Sequence, residues 1–393
     1  MEVFRRIRYI PKPLGALFFA NFFLFFHLFL ILYFNSSYLG AVGVETETVG
    51  SIYSLGAFFA LASFFFFPTL LKKFHAKGTL LLLTTAEGLA IIMLATSIDP
   101  LLSIAAFILY LVSYPLLVLT LDVLLEGNLR DERHTGGVRG GFLTFQNAAL
   151  VSAPFVGGLL LADVRFSLLY LFSALLLIPF YATARSCARR FVDPLYHNMK
   201  IVQSFGLLRS NVNLRGAFLS HFLLRLFFSF MVIYTPLYLL NEVGFTTGEV
   251  GLLLALVLIP FVLLELPLGF LADRRYGEKE FLIIGLLIIA ASTAALSFIE
   301  STAFLLWVGA LFVTRIGASF VEIATESYFF KQVDGDDADL MSLFRMLRPL
   351  GYLVGPLLGS AFLAVLDFKY IFLALGVIIF FGIAVASPIE DTR

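Results

Sequence analysis

The sequence predicts an all-α integral membrane protein, with twelve transmembrane helices in two pseudo-symmetric six-helix bundles. Composition is the first reason. Of 393 residues, 60% are hydrophobic and 14% charged, and the mean hydropathy is +0.96. A soluble domain has ~45–50% apolar and ~25% charged residues. Sixty per cent of the chain is about 236 residues, close to the ~240 that twelve spans of ~20 residues need. Periodic segmentation is the second reason. Apolar stretches of spanning length recur at 14–34, 48–70, 79–97, 101–125, 141–161 and 165–184, then at 215–240, 248–271, 281–299, 303–329, 341–365 and 369–387. Lipid offers the backbone no hydrogen-bond partner, so stretches of this length close their bonds internally, as helices.

The distribution of Lys and Arg is the third reason. With the N-terminus inside, the inner side holds 21 of the 27, the outer loops hold Arg165 and Lys369, and four lie within spans. Basic loops stay cytoplasmic, so both termini and the central loop are expected inside a plasma or bacterial inner membrane. The basic start followed by an apolar run resembles a signal peptide. That run is about twice too long for one and lacks a small-residue cleavage site, so it reads as an uncleaved first span. The longest polar stretch separates the two series, which places the bundles at 1–184 and 215–393 with a linker at 185–214.

Other classes are excluded by what the chain lacks. Net charge is zero, which argues against nucleic acid. Cys187 is the sole cysteine, so no intramolecular disulfide or CxxC site can form. There is no phosphate-binding glycine loop and no catalytic or zinc motif. Neither enzymatic activity nor a cofactor or metal is expected.

The two halves look like copies displaced by about 200 residues, the kind of internal repeat from which many transporters are built. Tyr38-Leu39 matches Tyr238-Leu239, Val49-Gly50 matches Val250-Gly251, and Asp122 and Glu126 match Glu322 and Glu326. Small residues recur in register: Gly140, Ala149, Ala153, Pro154, Gly157 and Gly158 in the fifth span, against Ser342, Gly351, Gly355, Pro356, Gly359 and Ser360 in the eleventh. Between the eighth and ninth spans runs Gly269-Phe270-Leu271-Ala272-Asp273-Arg274-Arg275-Tyr276-Gly277-Glu278-Lys279. With these residues the sequence resembles the major facilitator superfamily over essentially its full length. The segment is similar to that family's G-x-x-x-D-R-x-G-x-[KR] loop, with one extra residue before Gly277 and Glu278 where a basic residue is usual. The corresponding first-half loop, Leu71 to Gly78, keeps its basic charge but lacks the Asp. The resemblance implies a cytoplasmic gate containing Gly269, Asp273, Arg274 and Gly277, and a central cavity lined by the first, fourth, seventh and tenth spans. The fifth span's small residues resemble the family's exporter signature, with Ala149 and Ala153 replacing Gly. Such residues also let helices approach closely whatever the direction of transport.

Ionisable groups inside a span cost at least ~2.5–3.5 kcal/mol each on insertion scales, so each one needs a reason. In chain order, the first span carries Asn21 and His27, candidate substrate contacts. The third carries Glu87 alone among apolar neighbours. The fourth carries Asp122, a candidate for substrate binding and proton coupling, and Glu126, one turn on and a gate candidate. The seventh places His221, Arg225 and Ser229 on one side at i, i+4, i+8. His221 titrates in the range that suits proton coupling, and Arg225 suits a substrate. The eighth carries Glu265, a second lone carboxylate and proton candidate. The tenth places Arg315, Ser319, Glu322 and Glu326 on one stripe, with Arg315 ~18 Å deep at 1.5 Å per residue. Arg315 and Glu322 are expected to face the substrate, unless they simply pair with each other. Glu322 is also a proton candidate. Arg345 and Arg348 of the eleventh span are expected to clasp Glu322 and Glu326 at the gate.

The function expected is secondary transport by alternating access, as proton-coupled export of a small, partly apolar compound by a monomer. Two alternatives stand beside it: a nutrient importer or uniporter for an anionic or polar solute, and a non-transporting receptor or lipid scramblase on the same scaffold.

Overall fold

The computed structural model describes residues 12–128, 135–161, 165–189, 191, 193, 206, 208–264, 277–332 and 338–390. All regular structure among these residues is helical. The elements are α1 (Lys12–Leu32), α2 (Asn35–Ala41), α3 (Thr46–Thr96), α4 (Pro100–Asn128), α5 (Thr135–Leu160), α6 (Phe166–Ala188), α7 (Val212–Tyr238), α8 (Thr247–Val257), α9 (Glu278–Leu296), α10 (Phe304–Gln332), α11 (Ala338–Leu363) and α12 (Ile371–Ala386). Among the described residues, ten helical stretches are long and apolar enough to cross a membrane. One of them, α3, has 51 residues. At 1.5 Å per residue that is about 77 Å, more than twice the ~30 Å hydrocarbon core. It is two spans joined at His75, whose φ of 56° and ψ of 167° break the helix.

The chain divides into two compact units. The first comprises Met1–Leu32 and Ala62–Asn198, the second Tyr33–Leu61 and Met199–Arg393. The second therefore includes 33–61, which takes in the loop after the first expected span and the first part of the second. In the first unit α1 is the central element, packed on α5 and α6. In the second, α7 takes the corresponding place, packed on α11, α10 and α12. The same neighbour pattern in each unit is what a sequence repeat should produce.

Local chemistry explains how the elements begin and end. Asn211 caps α7 by accepting from the backbone N–H of Asn213 and Leu214. A π-turn, Leu239–Val243, then leads into Gly244 in the left-handed region at φ 84°, where a glycine avoids the Cβ clash. The next helix opens on a reciprocal capping box between Thr246 and Glu249. Small residues set how closely the helices approach. A Cβ on Gly351 would come 2.8 Å from Arg225 Cβ, and those on Gly355 and Gly359 would collide with Ser229 and Tyr234. The recurring small residues of α11 are thus the surface on which α7 lies. Many phenylalanines face outward, including Phe66, Phe381 and Phe298, each about two-thirds exposed or more. They are the surface that lipid would cover. Others stack inside, as Phe329 on Phe344 with ring centroids 4.2 Å apart.

Candidate functional site

The second unit brings the two polar stripes of α7 and α10 together. Arg225 Nε donates to His221 Nε2 at 3.0 Å, and its Nη2 donates to Glu322 Oε1 at 3.1 Å. Glu326 Oε1 lies 3.8 Å from the same nitrogen. Because His221 Nε2 accepts, the ring proton sits on Nδ1, which points at Thr325 Oγ1, 2.9 Å away. The Thr325 hydroxyl in turn donates to Val321 O at 2.8 Å. His221 is therefore a neutral spacer that orients Arg225, and its ring lies 4.1 Å from that of Phe344. The cluster is partly open: the side chains of Arg225, Glu322 and Glu326 are 17%, 20% and 47% exposed.

Arg315 stands apart from this cluster. It is 1% exposed. Its Nη1 reaches Thr314 Oγ1 at 3.3 Å, and its guanidinium lies 5.2 Å from the centre of the Phe227 ring. Its Nε has no partner. The phenols of Tyr33 and Tyr352 are close enough to act on its charge. Among the described residues no carboxylate lies within salt-bridge reach of it, so the alternative of an internal Arg315–Glu322 pair does not form; Glu322 turns to Arg225 instead. Arg345 is exposed and Arg348 half-buried on α11. Arg345 acts on Glu326 and Arg348 on Tyr33.

In the first unit, His27 and Glu87 meet, both fully buried, with Nε2 3.0 Å from Oε1. Nδ1 of His27 faces Ser173 O at 3.0 Å, and Ser113 contacts Glu87 Oε2. One polar knot thus ties α1, α3, α4 and α6. Each residue stood out in the sequence, but not as one of a pair; their shared mid-span depth was the available signal. Asn21 donates from Nδ2 to Phe142 O at 2.7 Å, bridging α1 to α5. Asp122 is half-buried on α4. The side chain of Glu126, and Glu265, Gly269, Asp273 and Arg274, lie outside the described residues. Gly277 precedes α9 as its N-cap.

Two contacts bear on the loop departures. Glu278, 2% exposed, pairs with Lys331 at the end of α10, so its negative charge is matched from the neighbouring helix. In the first-half loop, which lacks the Asp, Asp193 accepts from the Ala76 N–H at 2.7 Å and lies 3.7 Å from His75 Nδ1.

This is the architecture of a polytopic helical membrane protein built as a repeat, with buried charges on its central helices. Residues 217–392, a little under half of the chain, match the family model of the Major Facilitator Superfamily. A putative sugar efflux transporter of Deinococcus radiodurans is 29% identical over 142 residues. That alignment covers 36% of this chain and 36% of the relative, so the chain matches about a third of the relative's length. Among solved structures, a POT family transporter in complex with 5-aminolevulinic acid superposes with a TM-score of 0.78 at 13% identity, covering 96% of this chain and 95% of that one. The nucleoside transporter NupG superposes with a TM-score of 0.74 at 15% identity, covering 97% and 100%. At such identities these likenesses establish the fold alone.

Proposed function

We propose that the protein is a secondary active transporter working by alternating access, exporting a small, partly apolar solute against protons. The observation that supports this most is a division of labour on α7 and α10. Arg315 is a buried guanidinium with no acid beside it among the described residues, while Arg225, Glu322, Glu326 and His221 form a separate cluster able to exchange partners. Protonating Glu322 removes the charge that holds Arg225, and a released guanidinium can then repack. A change of that kind couples proton binding to a change of state, provided the two states differ in their contacts. Export draws support from the fifth span's small-residue spacing and from the efflux named for the Deinococcus relative.

The reading is tested with purified protein in liposomes of both orientations, everted and right-side-out, with and without a pH gradient. Gradient-driven export should be abolished by Glu322→Gln, which keeps the shape and removes the titratable group. Unchanged transport by that variant would exclude Glu322 from coupling. Uptake without a gradient would favour the second reading, import or uniport of an anionic solute, for which the unpaired Arg315 is the supporting observation.

A further inference from the structure

We infer that the solute carries an oxyanion, a carboxylate or a phosphate on a compact apolar body, and that Arg315 binds it. The inference rests on the transport reading and names the substrate class of the same site. Its ground is an imbalance at one side chain. A guanidinium has five N–H donors and no acceptor, and it stays charged wherever it is placed. That of Arg315 is buried with Nε unpartnered, one donor directed at a threonine hydroxyl and one face on Phe227. Neighbouring phenols and hydroxyls supply dipoles, but none supplies the missing negative charge. A buried charge without a counter-charge costs several kcal/mol. Three other buried or part-buried charges among the described residues have found acids or bases: Arg225 has Glu322, Glu278 has Lys331 and Glu87 has His27. Arg315 differs from these three in having no such partner among the described residues.

The geometry around Arg315 defines what would complete it. The planar fork of Arg matches the two oxygens of a carboxylate or phosphate in a way that a lysine ammonium does not. Phe227 from α7 presents a ring face to it at 5.2 Å, and the phenols of Tyr352 from α11 and Tyr33 beyond the end of α1 are near enough to act on its charge. An apolar or ring-bearing body seats against such faces, and the phenol hydroxyls can meet its polar edge. A neutral sugar would satisfy the donors but leave the charge unbalanced. An oxyanion does both.

The test uses the full chain purified in detergent and reads thermal stabilisation by matched probes. The pairs are benzoate with benzyl alcohol, glucuronate with glucose, and phenyl phosphate with phenol; inorganic phosphate stands alone. At least one oxyanion should stabilise the wild type beyond its neutral partner, which of the charged probes does so separating a carboxylate from a phosphate ligand. Its affinity should fall at least ~10-fold in Arg315→Gln, the loss of about 1.4 kcal/mol that a factor of ten represents, and less in Arg315→Lys. Without ligand, Arg315→Gln should melt higher than the wild type, because it removes an uncompensated buried charge. An arginine with a hidden structural partner would give the opposite sign. Equal stabilisation by neutral partners, or oxyanion binding that survives Arg315→Gln, would overturn the inference, as would a lower melting point for the unliganded variant. Binding is read here without flux. Absence of transport would therefore leave this result standing, whereas export of a neutral solute unaffected by Arg315→Gln would refute the oxyanion and keep the transporter.

Discussion

The imidazole of His27 and the carboxyl of Glu87 meet where no water is available to carry charge, so their hydrogens can be counted. Nδ1 of His27 faces both the Ser173 hydroxyl at 2.7 Å and the Ser173 carbonyl at 3.0 Å; a carbonyl only accepts, so Nδ1 carries a proton, and the Ser173 hydroxyl donates to His27 O at 3.2 Å. One further proton lies on the line from Nε2 to Oε1. Whichever atom holds it, the pair is neutral overall, which is the arrangement a low-dielectric site favours. The opposite side of Glu87 meets Ser113, whose single hydrogen can go to Glu87 or to Leu109 O, 2.8 Å away. A glutamine reproduces most of this: its amide N–H can donate to Nε2 while its oxygen accepts from Ser113. Glu87→Gln should therefore cost no more than about 1 kcal/mol, the net worth of one ordinary hydrogen bond. Glu87→Ala, which leaves Nε2 of His27 buried without a partner, should cost about 3 kcal/mol. Thermal or denaturant unfolding in detergent measures both. A glutamine as damaging as the alanine would mean that the pair is held as separated charges.

At the scale of elements, the apolar runs locate the spans well, because twenty consecutive apolar residues have few other uses. Where the chain turns is less legible. The two runs at 48–70 and 79–97 become two helices that meet with almost no loop between them, at a kink at His75. Its φ/ψ lies in a region that glycine alone visits freely, at a cost of ~1–3 kcal/mol for other residues. No local signal marks a histidine for that conformation. What holds the turn comes from 117 residues away, where Asp193 takes the Ala76 N–H; a contact that distant cannot be read from spacing. His75→Gly should raise stability by about 1 kcal/mol, since it removes the steric cost and the side chain it deletes is 70% exposed and only weakly tied to Asp193. A fall in unfolding temperature would show that the His75–Asp193 contact outweighs the strain. The small-residue stripes carry the converse lesson. Their spacing was plain in the sequence, yet on α11 it serves the approach of α7, so the pattern reports packing before it reports direction of transport.

For the molecule as a whole, stripe periodicity identified which faces of α7 and α10 are polar. It could not assign partners, because Arg225 reaches Glu322 across 97 residues and only the packing of α7 against α10 decides between it and Arg315. The grouping of 33–61 with the second unit was likewise invisible in a division drawn at the longest polar loop. Its consequence for alternating access is specific. Gly50, on α3, faces Tyr234 Oη, Pro356 O and Ser360 Oγ with no room for a Cβ, and Ser360 donates to Glu47 O at 2.5 Å. Tyr234 Oη itself donates to Pro356 O at 2.9 Å. On the topology read from Lys and Arg, this contact lies toward the outer side. If the proposed rocking pivots between the halves drawn from the sequence, this contact exists in one state and opens in the other. Gly50→Val disfavours the closed form alone, and a population shift from 1:99 to 99:1 takes about 5.5 kcal/mol, of the order that a backbone-level clash imposes. The variant should fold and bind solute but turn over at least ~10-fold more slowly, about 1.4 kcal/mol on the barrier. Tyr234→Phe combined with Ser360→Ala, which removes two of the three obstructing oxygens, should restore part of that rate. Liposome flux with matched binding measurements separates the possibilities: lost binding would mean misfolding, and undiminished flux would mean that the Gly50 contact never has to form during transport.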